Sequence, residues 1–202
     1  MEIVRDIIQG SPEWDELRTG SVGASSLSKI ITSAGKMSSQ RQAFLYQIAA
    51  EKLTGRKTET YSSQAMQDGI EREPQTRMEF QVETWKEVEQ VGIIFPDGRP
   101  GFHISPDGLI VGEDAGLELK SVYAATQVKY LDKKKCPTEY VLQCQMSMFV
   151  TGYPIWWFCS HHPGLPLFYL PVERDEKLIS IIKSELERFV SDVDALVVRL
   201  LA

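Results

Sequence analysis

The chain has 202 residues, 43% of them hydrophobic and 25% charged, enough apolar material for one core beneath an ordinary polar surface. No apolar run approaches the roughly 20 residues of a membrane helix, and the opening Met1-Glu2-Ile3-Val4-Arg5-Asp6 is not a signal peptide. A net charge of −6 excludes a broadly basic DNA-binding surface, so any nucleic-acid contact has to be local.

In chain order, Ser11-Pro12 predicts a helix over 12–18, with Ser11 as cap, Pro12 at the first helical position and Gly20 as the stop. Gly23-Ala24-Ser25-Ser26 opens a second helix through Ile31. Ser38-Ser39 caps a third, with Phe44, Leu45, Ile48, Ala49 and Leu53 at helical spacing and Gly55 at its end. Loops are expected over 35–38 and 56–62. A fourth helical region spans 63–88, interrupted by Pro74. Strands are expected over 91–95, 102–105, 108–111 and 117–122, then helices over 124–133 and 139–150. Strands over 155–158 and 167–172 and an amphipathic helix over 174–201 close the chain. This order predicts an α/β fold: a central mixed sheet flanked by helices, in one domain covering residues 1–202.

The chemistry concentrates in S-P-D-G-L-I-V-G-E-D-A-G-L-E-L-K, residues 105–120. Asp107-Gly108 leads an apolar run, Glu113-Asp114-Ala115-Gly116 is expected to turn, and the chain returns through Leu117. Side chains alternate along a strand, so Glu118 and Lys120 share one face while Leu117 and Leu119 take the other. Asp107 can meet the first pair from the partner strand. Two acids suit Mg²⁺, which wants oxygen ligands and keeps open positions for a phosphate and a water. Burial beside the metal is expected to push the Lys120 pKa down. Lys120 could then orient or deprotonate the attacking water, or hold the phosphate as a cation. A Pro-Asp-Gly turn and a Glu-x-Lys ion pair are also common surface features, so this stretch needs support from the rest of the chain.

Local basic contacts could come from Arg18, Lys29 and Lys36, or from Lys129 and Lys133-Lys134-Lys135. Three widely spaced cysteines, Cys136, Cys144 and Cys159, read as reduced thiols of a cytosolic protein and leave a cysteine-bound metal cluster short of ligands. His161-His162 reads as a surface pair.

Five separated motifs resemble the lambda-exonuclease-type, YqaJ-type viral recombinase family of the PD-(D/E)xK nuclease superfamily. They are S-P-E-W-D-E-L-R-T-G-S-V-G-A-S (11–25), G-I-E-R-E-P-Q-T-R-M-E-F (69–80), the S-P-D-G…L-E-L-K stretch, Y-V-L-Q-C-Q-M-S-M-F-V-T-G (140–152) and V-E-R-D-E-K (172–177). The resemblance runs over nearly the whole chain. It implies a restriction-endonuclease-like core and Mg²⁺-dependent 5′→3′ digestion of one strand of linear duplex DNA, leaving 3′ overhangs. Two metal ions, replaceable by Mn²⁺, are implied. So are a toroidal homotrimer, a single-strand annealing protein as partner, and action in the cytoplasm of a bacterial host by a phage- or prophage-encoded enzyme with no membrane partner.

By the same resemblance, Asp107, Glu118 and the backbone carbonyl of Leu119 hold metal, Lys120 is the catalytic lysine, and Glu71 is a further acid near the site. Arg18, Ser25, Ser105, Lys120 and Gln143 carry over as a pocket for the terminal 5′-phosphate. Arginine's planar fork suits a phosphate, and Ser25 stands where a helix start favours an anion. Gln145 is open between a structural role and a metal-water role, and Trp14 between core and DNA stacking. Asp97 sits in Pro96-Asp97-Gly98, which turn chemistry alone explains. Two other readings share these residues: an endonuclease on the same fold, and a non-catalytic module that binds DNA ends or a partner.

Overall fold

The computed structural model describes residues 1–58, 64–98 and 101–202, with residues 64–66 described in the backbone alone. The expected loop over 56–62 lies, from residue 59 on, outside the described residues. The first strand, β1 (Glu2–Val4), pairs antiparallel with β4 (Ile93–Phe95). Helix α1 (Pro12–Arg18) starts as its sequence dictates: the Ser11 side chain accepts from the Trp14 N–H, and Pro12 follows. Strand β2 (Val22–Gly23) pairs with β5 (Phe102–His103). The expected helix after Gly23 is a short 3-10 helix, Ala24–Lys29. No side chain caps it, and its three serines give it a modest α-helical propensity, which favours the shorter, tighter turn. Helix α2 (Arg41–Thr54) ends at Gly55 with φ +64°, the left-handed cap that glycine takes most cheaply.

Helix α3 (Gln64–Thr84) runs straight through Pro74 instead of being interrupted there. A proline costs one backbone hydrogen bond inside a helix, and the buried Thr76, Arg77 and Phe80 on the following turns hold the helix in place. It ends earlier than expected. Trp85 turns left-handed, and Val88, the last residue expected to be helical, opens the edge strand β3 (Val88–Glu89).

The main sheet has five strands in the order β3-β6-β7-β8-β9, with β6 at Gly108–Ile110, β7 at Ala115–Ser121, β8 at Ile155–His161 and β9 at Phe168–Glu173. Only the β7–β8 pair is parallel. A parallel pair needs a long crossover, which α4 (Ala124–Lys133) and α5 (Thr138–Thr151) supply. Strand β7 begins two residues before the expected position, because the turn is made at Gly112, φ +77°, and Ala115-Gly116 already belong to the sheet. The fold is the mixed α/β architecture expected, and the strand carrying Glu118 and Lys120 is its central one.

The two faces of the sheet have separate cores. Leu117 and Leu119 point to one face with Phe80, Ile110, Ala115 and Cys159, covered by α3. The opposite face carries Trp156 and Phe158 beneath α5, and this core extends to α2 and to α6 (Glu176–Leu201). Glu118 and Lys120 project to the second face, at its α5 edge. Asp175 caps α6 by accepting from Lys177 and Leu178 N–H.

Candidate active site

The acid cluster is built by hairpin register. Asp107 stands just before β6. Its backbone N–H donates to Leu117 O at 3.2 Å and its Oδ2 accepts from the Leu119 N–H at 2.6 Å, so the aspartate is locked onto β7. Glu118 is 2% exposed, and its carboxylate is ion-paired with Lys120. The Lys120 ammonium also lies 5.3 Å from the centroid of the Tyr140 ring on α5. A third acid arrives from α3. Glu73 is ion-paired with Arg77, whose Nε donates to the Asp107 carbonyl at 3.1 Å.

Burial dominates the electrostatics. It raises the carboxyl pKa of Asp107, against the pull of Lys120, the Leu119 N–H and Arg77. Glu118 is pushed up to about 7 by burial, with Asp107 and Glu73 adding repulsion and Lys120 opposing. Glu73 is raised by burial and by the Asp107 charge, against Arg77 and Lys120. Lys120 in the metal-free site shifts upward, whereas the downward shift expected from sequence was for burial beside a bound metal. Burial alone would lower its pKa, but the Glu118 and Asp107 carboxylates outweigh that cost and hold it above the ordinary lysine value. Without metal it is a cation. Lys120 and Arg77 thus face three acids that resist ionisation together, and a further cation there would relieve all three. Among the described residues no three acids, histidines or cysteines form a ready-made cage; the Lys120 ammonium sits against Glu118 instead.

Beside this cluster lies a small cavity lined by Arg18, Gly23, Ala24, Ser25, His103, Ser105, Gln143 and Ser147. Four of the five residues expected to hold a phosphate meet there: Arg18 from α1, Ser25 from the 3-10 helix, Ser105 from the loop before β6, and Gln143 from α5. Lys120 does not line it and stays with the acids. The Arg18 guanidinium lies over the Trp14 ring, 3.6 Å from its centroid. Trp14 Nε1 donates to Gly92 O at 3.0 Å and Ser105 Oγ at 3.1 Å. Trp14 is therefore neither plain core nor a free stacking surface: it props Arg18 and anchors Ser105.

A family model, the YqaJ-like viral recombinase domain, matches residues 13–154, more than half of the chain. The chain belongs to the YqaJ-like viral recombinase family. Its structure is similar to that of an alkaline exonuclease (LHK-Exo) from Laribacter hongkongensis, with a TM-score of 0.85 and 31% identity over 94% of this chain and 96% of that one. LHK-Exo in complex with dAMP gives a TM-score of 0.84 and 32% identity over 94% and 96% of the two chains. A phage-related exonuclease from Haemophilus somnus, 16% identical over 92% of this chain and 99% of that one, shares the fold with a TM-score of 0.69. No curated protein matches the chain in sequence.

Within this YqaJ-like domain, one expected acid is misplaced. Glu71 is exposed on α3, and Glu73 is the glutamate that reaches the cluster. Two residues apart on a helix means nearly opposite faces. Glu73, Arg77 and Phe80 form one inward stripe, and that i, i+4, i+7 spacing was the available signal. Gln145 is structural: its Nε2 donates to Glu173 O at 2.8 Å and its Oε1 accepts from Asp175 N–H at 2.9 Å, clipping α5 to the β9–α6 junction. His161 is not a surface residue; it is 4% exposed, with Nε2 3.0 Å from Glu79 Oε2. Asp97 lies in an exposed turn closed by Gly98 at φ +77°. Lys129, Lys133, Lys134 and Lys135 are exposed at α4 and its end, while Lys29 packs its ammonium 4.9 Å from the Phe44 ring centroid. His103 was not anticipated at all, because a lone histidine in a short apolar segment carries no chemical signature.

Proposed function

We propose that this protein is a Mg²⁺-dependent exonuclease that digests one strand of linear duplex DNA from its 5′ end. It leaves 3′ single-stranded overhangs for phage or prophage recombination by strand annealing. One observation carries the reading. Ser105 lines the anion cavity and Asp107, two residues on, belongs to the acid cluster, so a single short loop joins the two. A terminal phosphate held in the cavity would leave the next phosphodiester beside the acids, which supports cleavage that starts at a phosphorylated end.

The donors present fit a hard divalent ion: two carboxylates, Asp107 just before β6 and Glu118 on β7, completed by the Leu119 carbonyl. Two ions, with Mn²⁺ as a substitute, suit phosphodiester chemistry. When bound, the metal would supply charge neutralisation on the phosphate and a lowered pKa for water. The chain's own part is positional. Asp107 is pinned by the Leu119 N–H, Arg77, itself paired with Glu73, braces it from α3, and Lys120 presents a cation to the reacting phosphate or its water. Arg18, Ser25, Ser105 and Gln143 hold the 5′-phosphate. A ring of three subunits, an annealing protein as partner and action in the bacterial cytoplasm belong to the same reading.

The test is digestion of strand-labelled linear and covalently closed duplexes in Mg²⁺ and in EDTA. The expected result is mononucleotide release from 5′ ends of the linear form, in Mg²⁺ alone. Cutting of closed circles would favour the endonuclease reading. End binding with no digestion at any metal concentration would favour the non-catalytic one.

A further inference from the structure

The anion cavity contains a residue that the phosphate reading does not use. His103 is 1% exposed and forms part of the cavity wall. Arg18 Nε lies 3.3 Å from His103 Nε2, and Ser21 Oγ lies 2.9 Å from His103 Nδ1. An arginine Nε–H can only donate. His103 Nε2 is therefore the acceptor, and the imidazole proton sits on Nδ1, where it donates to Ser21. The ring is neutral, since a proton on Nε2 would face the Arg18 cation directly. Burial, with the Arg18 and Lys57 charges, holds its pKa well below the ordinary imidazole value. The Phe95 ring, 6.0 Å away centroid to centroid, supplies an apolar neighbour.

The backbone agrees with this arrangement. A Cβ at Gly23 would lie 3.1 Å from His103 Nε2 and 3.9 Å from Arg18 Nη2. Glycine there lets the two side chains meet at the cavity wall. Arg18 is then confined on three sides: the Trp14 ring on one face, Asp15 at 3.6 Å, and His103 at Nε. With Nε on His103 and Nη1 facing Asp15, Nη2 is left for the cavity.

We propose that His103 is a positioning residue for 5′-phosphate recognition, a neutral acceptor that fixes the rotation of the Arg18 guanidinium so that its free edge meets the phosphate. This rests on the reading of the cavity as the 5′-phosphate site. A fixed fork loses less rotamer freedom on binding than a mobile one, so the effect belongs in the discrimination between phosphorylated and unphosphorylated ends.

Two substitutions separate positioning from plain packing. His103→Gln keeps an acceptor at the ε position facing Arg18, whereas His103→Asn keeps a polar group only at the δ position facing Ser21. The readout is the ratio of kcat/KM on 5′-phosphorylated over 5′-hydroxyl duplex ends, with KM resolved separately. His103→Asn is expected to lower that ratio about fivefold, through KM, the scale of one lost hydrogen bond. His103→Gln is expected to stay within about twofold of wild type, and Arg18→Ala with His103→Asn to fall no lower than Arg18→Ala alone. Imidazole ¹⁵N spectra at pH 7 should show the Nδ1-protonated neutral ring. Equal ratios for Asn and Gln, additive loss in the double variant, or an imidazolium spectrum would each overturn the proposal while Arg18→Ala still lowers the ratio. If Arg18→Ala itself leaves the ratio unchanged, the phosphate-pocket reading fails and takes this inference with it.

Discussion

Each of the three residues at the centre of the acid cluster has a separable part. Asp107→Ala, Glu118→Ala and Lys120→Ala are each expected to abolish cleavage, while binding of DNA ends in Ca²⁺ survives in at least one of them. Near-wild-type turnover in Glu118→Ala would contradict the metal-site assignment. Glu118 also makes a prediction about stability. Its folded pKa of about 7 lies above the ordinary 4.5, so the folded state binds more protons than the unfolded one between these values. Stability from this group is therefore full below the unfolded value and is lost as pH rises toward 7. Glu118→Gln should raise the melting temperature of EDTA-treated protein at pH 8 by roughly 4 °C or more, and change it little at pH 5. Calorimetry that finds no pH-dependent difference would remove the buried-charge account. The sequence alone was enough to group Glu118 with Lys120, because strand alternation is a local rule. It was not enough to choose Glu73 over Glu71, since the inward face of a helix is set by what packs on it. The upward shift of Lys120 in the metal-free site was not legible either, since it comes from acids that only the fold brings beside it.

Elements with strong end signals were legible. Helix α1 shows Ser11-Pro12 at its start, α2 stops at Gly55, and α4 spans Ala124–Lys133 as its pattern indicates. The continuity of α3 through Pro74 was not legible, because the loss of one backbone bond is offset by packing far away in sequence. The edge strands β1 and β3 escaped for a related reason: three- and two-residue strands exist only through their partners. Gly116 shows the same dependence in the central strand. A Cβ there would lie 2.3 Å from the Trp156 ring, which crosses β7 at that point and is fully buried. Gly116→Ala must therefore displace the indole from a close-packed core, at a cost of about 1–3 kcal/mol. Chemical denaturation should show this as a lower midpoint with an unchanged slope. A midpoint equal to wild type would mean that the indole has room to move.

At the scale of the molecule the difficulty is charge. Neutralising the charge of a DNA backbone takes cations, yet the chain carries 22 lysines and arginines against 28 aspartates and glutamates. Several of those cations are spent internally: Lys120 on Glu118, Arg77 on Glu73, Arg41 on Asp192. A lone subunit has little with which to hold a duplex through many cycles of cleavage. The proposed ring of three would solve this by topology. DNA threaded through such a ring would stay at high effective concentration after each nucleotide is released, and retention would no longer depend on net positive charge. Light scattering in solution should therefore give three times the chain mass of 22.9 kDa at micromolar concentration. The consequence for activity is measurable on the same sample. With excess unlabelled duplex added after the reaction starts, a ring should continue digesting the labelled molecule for many nucleotides. A subunit held by surface charge alone should be captured by the competitor, and sooner as salt is raised. A monomeric mass together with uninterrupted digestion would show that retention has another origin, and the ring would have to be abandoned.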